Sequence, residues 1–208
     1  VGETLEFLRY LAGRRGPRTS LTAAEQGLLR TLAARRQNVI EVGVYEGATS
    51  AVLAAAIDPA GRVLLVDPFE PALKIERLLR FSCPRLIARR AVRPWRRRVR
   101  FVRTRSVEAA SLLGSERPAE LIFIDADHRY EAVREDFLTW RALLAPGGRI
   151  AFHDSRPCPA RPDLGPETGP VRLMEEIDAG ALGDWHEVDG ADSITVVAST
   201  AGAPEETG

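Results

Sequence analysis

A chain of 208 residues, 45% hydrophobic and 28% charged, has the size and balance of one soluble domain with a sizeable core. No apolar run approaches the ~20 residues of a membrane-spanning helix, and the N-terminus carries neither a basic nor an apolar leader region. The 29 basic and 29 acidic residues cancel, which excludes a uniformly basic nucleic-acid binder, yet twelve arginines and no acid lie between Arg77 and Arg105. That asymmetry reads either as a phosphate-binding patch, with Trp95 for stacking, or as a solvated or subunit-contact face. Cys83 and Cys158 fit neither a disulfide framework nor a metal-ligand spacing, and free thiols in a cytoplasmic protein are expected.

In chain order, Leu5, Leu8 and Leu11 suggest a short helix over Thr4 to Ala12, broken by Gly13 to Pro17. Thr22 and Glu25 form a capping box ahead of a second helix carrying Leu28, Leu29 and Leu32. Val39 to Val42 reads as a buried strand, Gly43 to Gly47 as a tight turn and Ala48 to Ile57 as a helix. Arg62 to Asp67 is a second strand ending in an acid, and Pro71 to about Arg90 is expected as one helix with Leu73, Leu78, Leu79 and Phe81 apolar. Val99 to Val102 gives a third strand and Val107 to Leu113 a short helix. Leu121 to Ile124 gives a fourth strand, running into Asp125-Ala-Asp-His128. Val133, Phe137, Trp140 and Leu144 step by helical intervals. Pro146-Gly147-Gly148 turns into a fifth strand, Arg149 to Phe152, ending at His153-Asp154.

Sixteen residues from Ser155 to Pro170, five of them proline, suggest a loop over a site. A helix with Val171, Met174 and Ile177 follows. Trp185 to Val188 and Ile194 to Ala198 then close as an antiparallel pair around Gly190, leaving His186 as a structural strand residue. The expected fold is α/β: a Rossmann-like three-layer α/β/α sandwich with a seven-stranded, mostly parallel sheet, N-terminal accessory helices and a C-terminal antiparallel hairpin. The expected division is one domain over residues 1–198, with helices in 1–36 and the cofactor-binding core in 37–198, then a flexible tail over 199–208.

Gly43 and Gly47 allow a backbone to approach a ligand closely. Their spacing differs from the Gly-x-Gly-x-x-Gly of pyrophosphate binders, and no P-loop lysine is present. Glu41 at the first strand's end would repel a diphosphate and suit a cationic ligand. Asp67 at the second strand's end is placed to accept hydrogen bonds from ribose hydroxyls.

Glu41-Val-Gly-Val-Tyr-Glu-Gly47 resembles the first cofactor motif of the class I S-adenosylmethionine-dependent methyltransferases of the catechol and caffeoyl-CoA O-methylating type. The resemblance spans roughly Leu21 to Ala198. It implies that Gly43 and Tyr45 lie along the methionine part of the cofactor, that Thr49 or Ser50 binds its carboxylate, and that Ser106 lies near the adenine. Thr104 stands where the family usually has a glycine. Asp125-Ala-Asp-His128 is similar to the Asp-x-x-Lys or Asp-x-x-His of the metal-dependent members, which implies Asp125 as a metal ligand and His128 as general base. His128-Arg-Tyr-Glu-Ala-Val, Leu-Ala-Pro-Gly-Gly and Phe-His-Asp resemble the bacterial sugar and natural-product branch, where two residues ending the fifth strand complete the metal site. Those are His153 and Asp154 here. The family likeness also implies a homodimer.

The chemistry is coherent in itself. Methyl transfer needs the acceptor oxygen in line with the sulfonium and its proton removed; an imidazole of pKa about 6.5 does the second at neutral pH. A divalent cation, magnesium or manganese, lowers the hydroxyl pKa, and a histidine ligand favours manganese or another transition ion. Asp125 and Asp127 are further cofactor contacts or helix caps. Arg156 and Arg161 in the proline-rich loop are candidates for an anionic group on the acceptor. The expected partner is a small-molecule hydroxyl acceptor, a sugar or secondary metabolite, with no membrane. Nucleic acid is not the expected partner. A methyltransferase of RNA working through the arginine segment and a catalytically silent S-adenosylmethionine-binding module stay open as alternatives.

Overall fold

The computed structural model describes residues 2–71, 74–113 and 117–200. Seven strands form one sheet in the order β3-β2-β1-β4-β5-β7-β6. They are β1 Asn38–Val42, β2 Arg62–Val66, β3 Val99–Val102, β4 Ala119–Ile124, β5 Leu144–Phe152, β6 Trp185–Ala191 and β7 Ile194–Ser199. Strands β1 to β5 pair in parallel, and β7 runs antiparallel to both β5 and β6. The helices are α1 Gly2–Leu11, α2 Ala23–Ala33, α3 Ala48–Ala56, α4 Lys74–Leu79, α5 Cys83–Ala91, α6 Ser106–Leu113, α7 Tyr130–Trp140 and α8 Gly169–Asp178. This is the expected Rossmann-like sandwich with its closing hairpin.

The core explains the near-continuous apolar strands. Successive side chains of a strand point to opposite faces, so a strand covered on both faces is apolar throughout. Val63 and Leu65 of β2, with Leu121 and Phe123 of β4, join Leu29, Leu53 and Ala88 on one face. Leu64 and Val66, with Ile122 and Ile124, face Phe137, Trp140 and Leu173 on the other. The expected apolar stripe of α7 is buried at Val133, Phe137 and Trp140, the last at 0% exposure, whereas Leu144, expected to continue it, begins β5 and is half-buried. Leu5, Leu8 and Leu11 of α1 instead remain exposed.

Three local expectations change. The helix foreseen from Pro71 to about Arg90 is two helices. Arg80 takes a left-handed conformation (φ 54°), and Ser82 caps α5 with Pro84 in its first turn. Leu73 lies outside the described residues. The Pro146-Gly147-Gly148 turn sits inside an irregular β5, whose register against β4 shifts between Ala119 and Leu121. The β6–β7 turn is at Asp192 (φ 46°) and not at Gly190, which pairs with Thr195 inside the ladder. Of the tail expected from residue 199, Ser199 instead ends β7 and Thr200 N donates to Asp184 O at 3.0 Å, and residues 201–208 lie outside the described residues. The arginine-rich segment forms α5, a 3₁₀ turn at Arg93–Trp95 and the edge strand β3.

The strand order positions the site. From β1 the chain first builds outward through β2 to β3 and then returns to place β4 on the other side of β1. The reversal leaves a crevice at the carboxyl ends of β1 and β4, where ligands bind in open α/β sheets. Gly43, Asp67, Asp125 and His153 all emerge at that edge, since each directly follows or closely follows a strand end.

Candidate active site

The turn after β1 is tight enough to require glycine. Gly43 has φ 90°, and a Cβ there would lie 2.0 Å from the carbonyl oxygen of Asp125. Gly47 has φ 75°, and its Cβ would lie 2.8 Å from Cα of Ala88 in α5. Tyr45 is also left-handed (φ 51°) and 44% exposed. Asp67 holds this turn: Oδ2 accepts from the Val44 and Tyr45 amides at 2.9 and 3.0 Å, and Oδ1 from Phe69 at 2.6 Å. A carboxylate has about four lone-pair sites, so acceptor capacity remains on Oδ1.

A cavity of about 950 Å³ opens over the turn. Glu41, Gly43, Tyr45, Thr49, Asp67, Ser106, Asp125 and Asp127 line it, together with Phe69 and Asp136. Gly47 and Ser50 stand behind this lining. Ser50 is fully buried and donates to Glu41 Oε2 at 2.6 Å. Burial pushes the Glu41 carboxyl well above its ordinary value against that hydrogen bond, with Asp125 and Asp67 adding to the rise. Burial thus weakens the negative charge that the sequence suggested for Glu41. Ser106 accepts from Trp140 Nε1 at 2.6 Å. Burial also lifts Asp136 to about 6, opposed by a hydrogen bond from Ser106. Asp127 is clamped by Arg129, whose Nη2 donates at 2.6 Å and holds the carboxylate below its usual range.

A strap from the N-terminal region closes one side. Glu46, inside the turn, is 1% exposed. It accepts from Arg15 Nη1 and Nη2 at 2.5 and 2.9 Å and from Arg18 N and Nε at 2.7 and 2.9 Å. These bonds seat Arg18, Thr19, Ser20 and Leu21 on the cavity wall. Nothing in the spacing of Arg15, Arg18 and Glu46 marks them as partners, because the contact depends on how the chain folds back.

At the other end, four expected residues come together. Asp125, His128 and His153 each offer a donor atom, all within 4.8 Å of one another. His153 Nδ1 lies 3.2 Å from Asp125 Oδ1 and 3.5 Å from Asp154 Oδ1. His128 Nε2 lies 3.4 Å from Asp154 Oδ2 and 3.7 Å from Asp125 Oδ1. His153 is 1% exposed, and among the described residues its Nε2 has no hydrogen-bond partner, although Glu25 Oε2 is 3.7 Å away. Burial works against the imidazolium, but the Asp125 hydrogen bond and the charges of Asp125, Asp154 and Glu25 outweigh it and raise the His153 pKa.

Two members were not foreseen. Glu25 is the capping-box acid, and it does cap α2. Its other oxygen also accepts from Ser193 N and Oγ at 2.9 and 2.6 Å, which brings it under His153. Arg161, expected to face an anion of the acceptor, instead donates from Nη1 to Asp154 Oδ1, and from Nε and Nη2 to Asp163 at 3.1 Å each. Arg156 is also engaged, with Asp192 O at 2.8 Å and Glu187 at 2.9 Å. His186 is an exposed residue of β6, remote from the group in the ladder.

Residues 40–155 match a family model described as "Methyltransferase domain". Among curated proteins no sequence matches. Among solved structures, the O-methyltransferase TomG from Streptomyces achromogenes, involved in tomaymycin synthesis and in complex with SAM, is similar. It has 20% identity and a TM-score of 0.65, with 86% of this chain and 81% of that one covered. Cofactor-bound Rv0187 from MTB gives 18% identity and a TM-score of 0.68 over 96% and 90% of the two chains. An O-methyltransferase from Bacillus cereus in complex with SAH gives 20% and 0.60 over 93% and 89%. These likenesses bear on the fold. The family match covers more than half of the chain and includes the glycine turn, Asp67 and Asp125 to Asp154, so the chain belongs to this methyltransferase-domain family.

Proposed function

We propose that this chain is an S-adenosylmethionine-dependent O-methyltransferase that acts on a hydroxyl of a small molecule, with a divalent ion at the acid–histidine group. One observation carries the reading: Asp125 lines the same cavity as the glycine turn and Asp67, and also touches His153. A methyl-donor site and a proton-handling group therefore meet at a single side chain. The cavity volume of about 950 Å³ suits a cofactor with a small acceptor. The SAM and SAH bound in the TomG and Bacillus cereus structures support the choice of cofactor.

In this reading Gly43, Tyr45 and Thr49 lie along the amino-acid end of the cofactor, Asp67 takes the ribose, and Ser106 lies near the adenine. Ser50, Gly47 and Glu41 hold the turn from behind or beside it, and Asp127 flanks the cofactor. The acceptor oxygen attacks the methyl carbon as the carbon–sulfur bond breaks, the sulfonium becomes a neutral thioether, and the hydroxyl proton passes to His128. Asp154 and Asp125, 3.4 and 3.7 Å from His128 Nε2, stabilise the imidazolium that results. His128 is kept for the proton, so Asp125, His153 and Asp154 are the residues that would hold the ion, carboxylate oxygens with one imidazole nitrogen, a donor set that suits a transition ion such as manganese. Such an ion, when bound, lowers the pKa of the acceptor hydroxyl and fixes its direction. A secondary metabolite or a sugar is the acceptor class we favour.

The test is calorimetric titration with S-adenosylhomocysteine, followed by methyl transfer to a panel of sugars and phenolic metabolites with and without chelator. Asp67→Ala should weaken binding by about tenfold or more, equal to 1.4 kcal/mol. His128→Ala should leave S-adenosylhomocysteine binding intact and abolish transfer. Failure of the wild-type protein to bind S-adenosylhomocysteine would sink the proposal.

A further inference from the structure

Asp154 already has a cation. Arg161 reaches Asp154 from the proline-rich loop, and the reach is built rather than incidental. Cys158 and Arg161 exchange backbone hydrogen bonds at 3.3 and 3.0 Å, and Leu164, buried at 6%, anchors the next turn. Asp163 grips the far side of the same guanidinium. The loop is pinned at both ends, by Ser155 N to Ser193 O at 2.9 Å and by Gly169 N to His128 O at 3.0 Å. A Cβ at Gly169 would lie 2.4 Å from that His128 oxygen, so the loop's end sits directly on the histidine turn. Asp154 itself is 6% exposed and held at φ 52°, a conformation that aims its carboxylate at Arg161, His128 and His153 together.

Charge makes the consequence sharp. Arg161 Nη1 takes Asp154 Oδ1, the oxygen that lies 3.5 Å from His153 Nδ1, so an ion held by Asp125, His153 and Asp154 would meet the guanidinium at that oxygen. Asp163 balances part of the guanidinium charge, but ion and guanidinium would compete for one carboxylate oxygen and repel each other across it. Resting on the metal reading above, we propose that Arg161 is the tethered counter-cation of Asp154 at the ion site. A divalent ion enters by displacing it, and the proline-rich loop moves outward as it does. Arg161 thereby sets how tightly the site takes an ion and links ion entry to access at the acceptor side.

Manganese titration followed by electron paramagnetic resonance on the whole protein tests this. Arg161→Gln should bind manganese about tenfold tighter than wild type or better, a gain of at least 1.4 kcal/mol. Arg161→Lys, which keeps the charge, should stay near the wild-type affinity, and Asp125→Asn should lose binding in either background. Cys158 provides a loop readout, since it lies in the displaced segment while Cys83 is buried. Saturating manganese should speed thiol labelling of Cys158 in wild type, and Arg161→Gln should label fast without the ion. Equal manganese affinity in wild type and Arg161→Gln would overturn the tethered-cation role and leave the metal reading standing. No binding by either would overturn the metal reading and this inference with it, while binding unaffected by Asp125→Asn would place the ion elsewhere and refute both.

Discussion

Glu46 gives the most quantitative prediction. It sits in the cofactor turn at 1% exposure and accepts four hydrogen bonds, two from Arg15 and two from Arg18. Breaking a buried ion pair by removing one partner costs roughly 3–5 kcal/mol. The two guanidinium groups are 15% and 32% exposed at the side chain, so part of their charge regains water when Glu46 is lost. We therefore expect Glu46→Ala to destabilise by about 2–3 kcal/mol, which for a chain of this size is about 6–9 °C in Tm. The strap residues Arg18 to Leu21 line the cavity, so affinity for S-adenosylhomocysteine should fall in the same variant. Burial raises the Glu46 pKa, but the Arg15 and Arg18 bonds outweigh it and leave it below the ordinary value. A depressed carboxyl stabilises the fold above its unfolded pKa and loses that contribution as pH falls through the folded value. The gap between wild type and Glu46→Gln in urea denaturation should thus be constant near pH 7 and close below about pH 4. A loss under about 0.5 kcal/mol, the size of an ordinary surface substitution, with unchanged ligand affinity would show that the strap is not held by this residue.

Two further predictions rest on particular contacts. Gly43→Ala would drive a Cβ to 2.0 Å from the Asp125 carbonyl at φ 90°, so the β1 and β4 ends must part; binding of S-adenosylhomocysteine should be lost while far-ultraviolet circular dichroism stays near wild type. Asp136 is buried and lifted to about 6, above its unfolded value, so its ionisation opposes folding above that pH and the penalty fades as pH falls towards 4. Asp136→Asn keeps an acceptor for Ser106 and should stabilise the protein by about 1–3 kcal/mol at pH 8, with little effect at pH 4.5; equal urea midpoints at pH 8 would refute the assignment.

The sequence by itself determined the sheet and the identity of the turn. Apolar runs such as Val63 to Val66 are nearly forced into doubly covered strands, because a strand buried on both faces leaves no place for polar side chains. Gly43 and Gly47 were legible for a related reason: a backbone at positive φ beside another backbone tolerates little else. Asp125, His128, His153 and Asp154 were legible because each follows a strand end, and parallel strands deliver their ends to one edge. Local signals also misled. The helix break at Arg80 was hidden by continuous helical composition, and Gly190 drew the hairpin turn away from Asp192.

Only the tertiary structure decided which of these groups are free. Asp67 holds the turn through three backbone amides, Ser50 is committed to Glu41, and Asp154 is committed to Arg161. Glu25 under His153, 168 residues from its partner Ser193, and Glu46 between two strap arginines left no periodic mark at all. Periodicity records which face a residue presents to the core of its own element. Pairing between distant polar side chains depends on where whole elements dock, and that is fixed by the packing of the entire sheet.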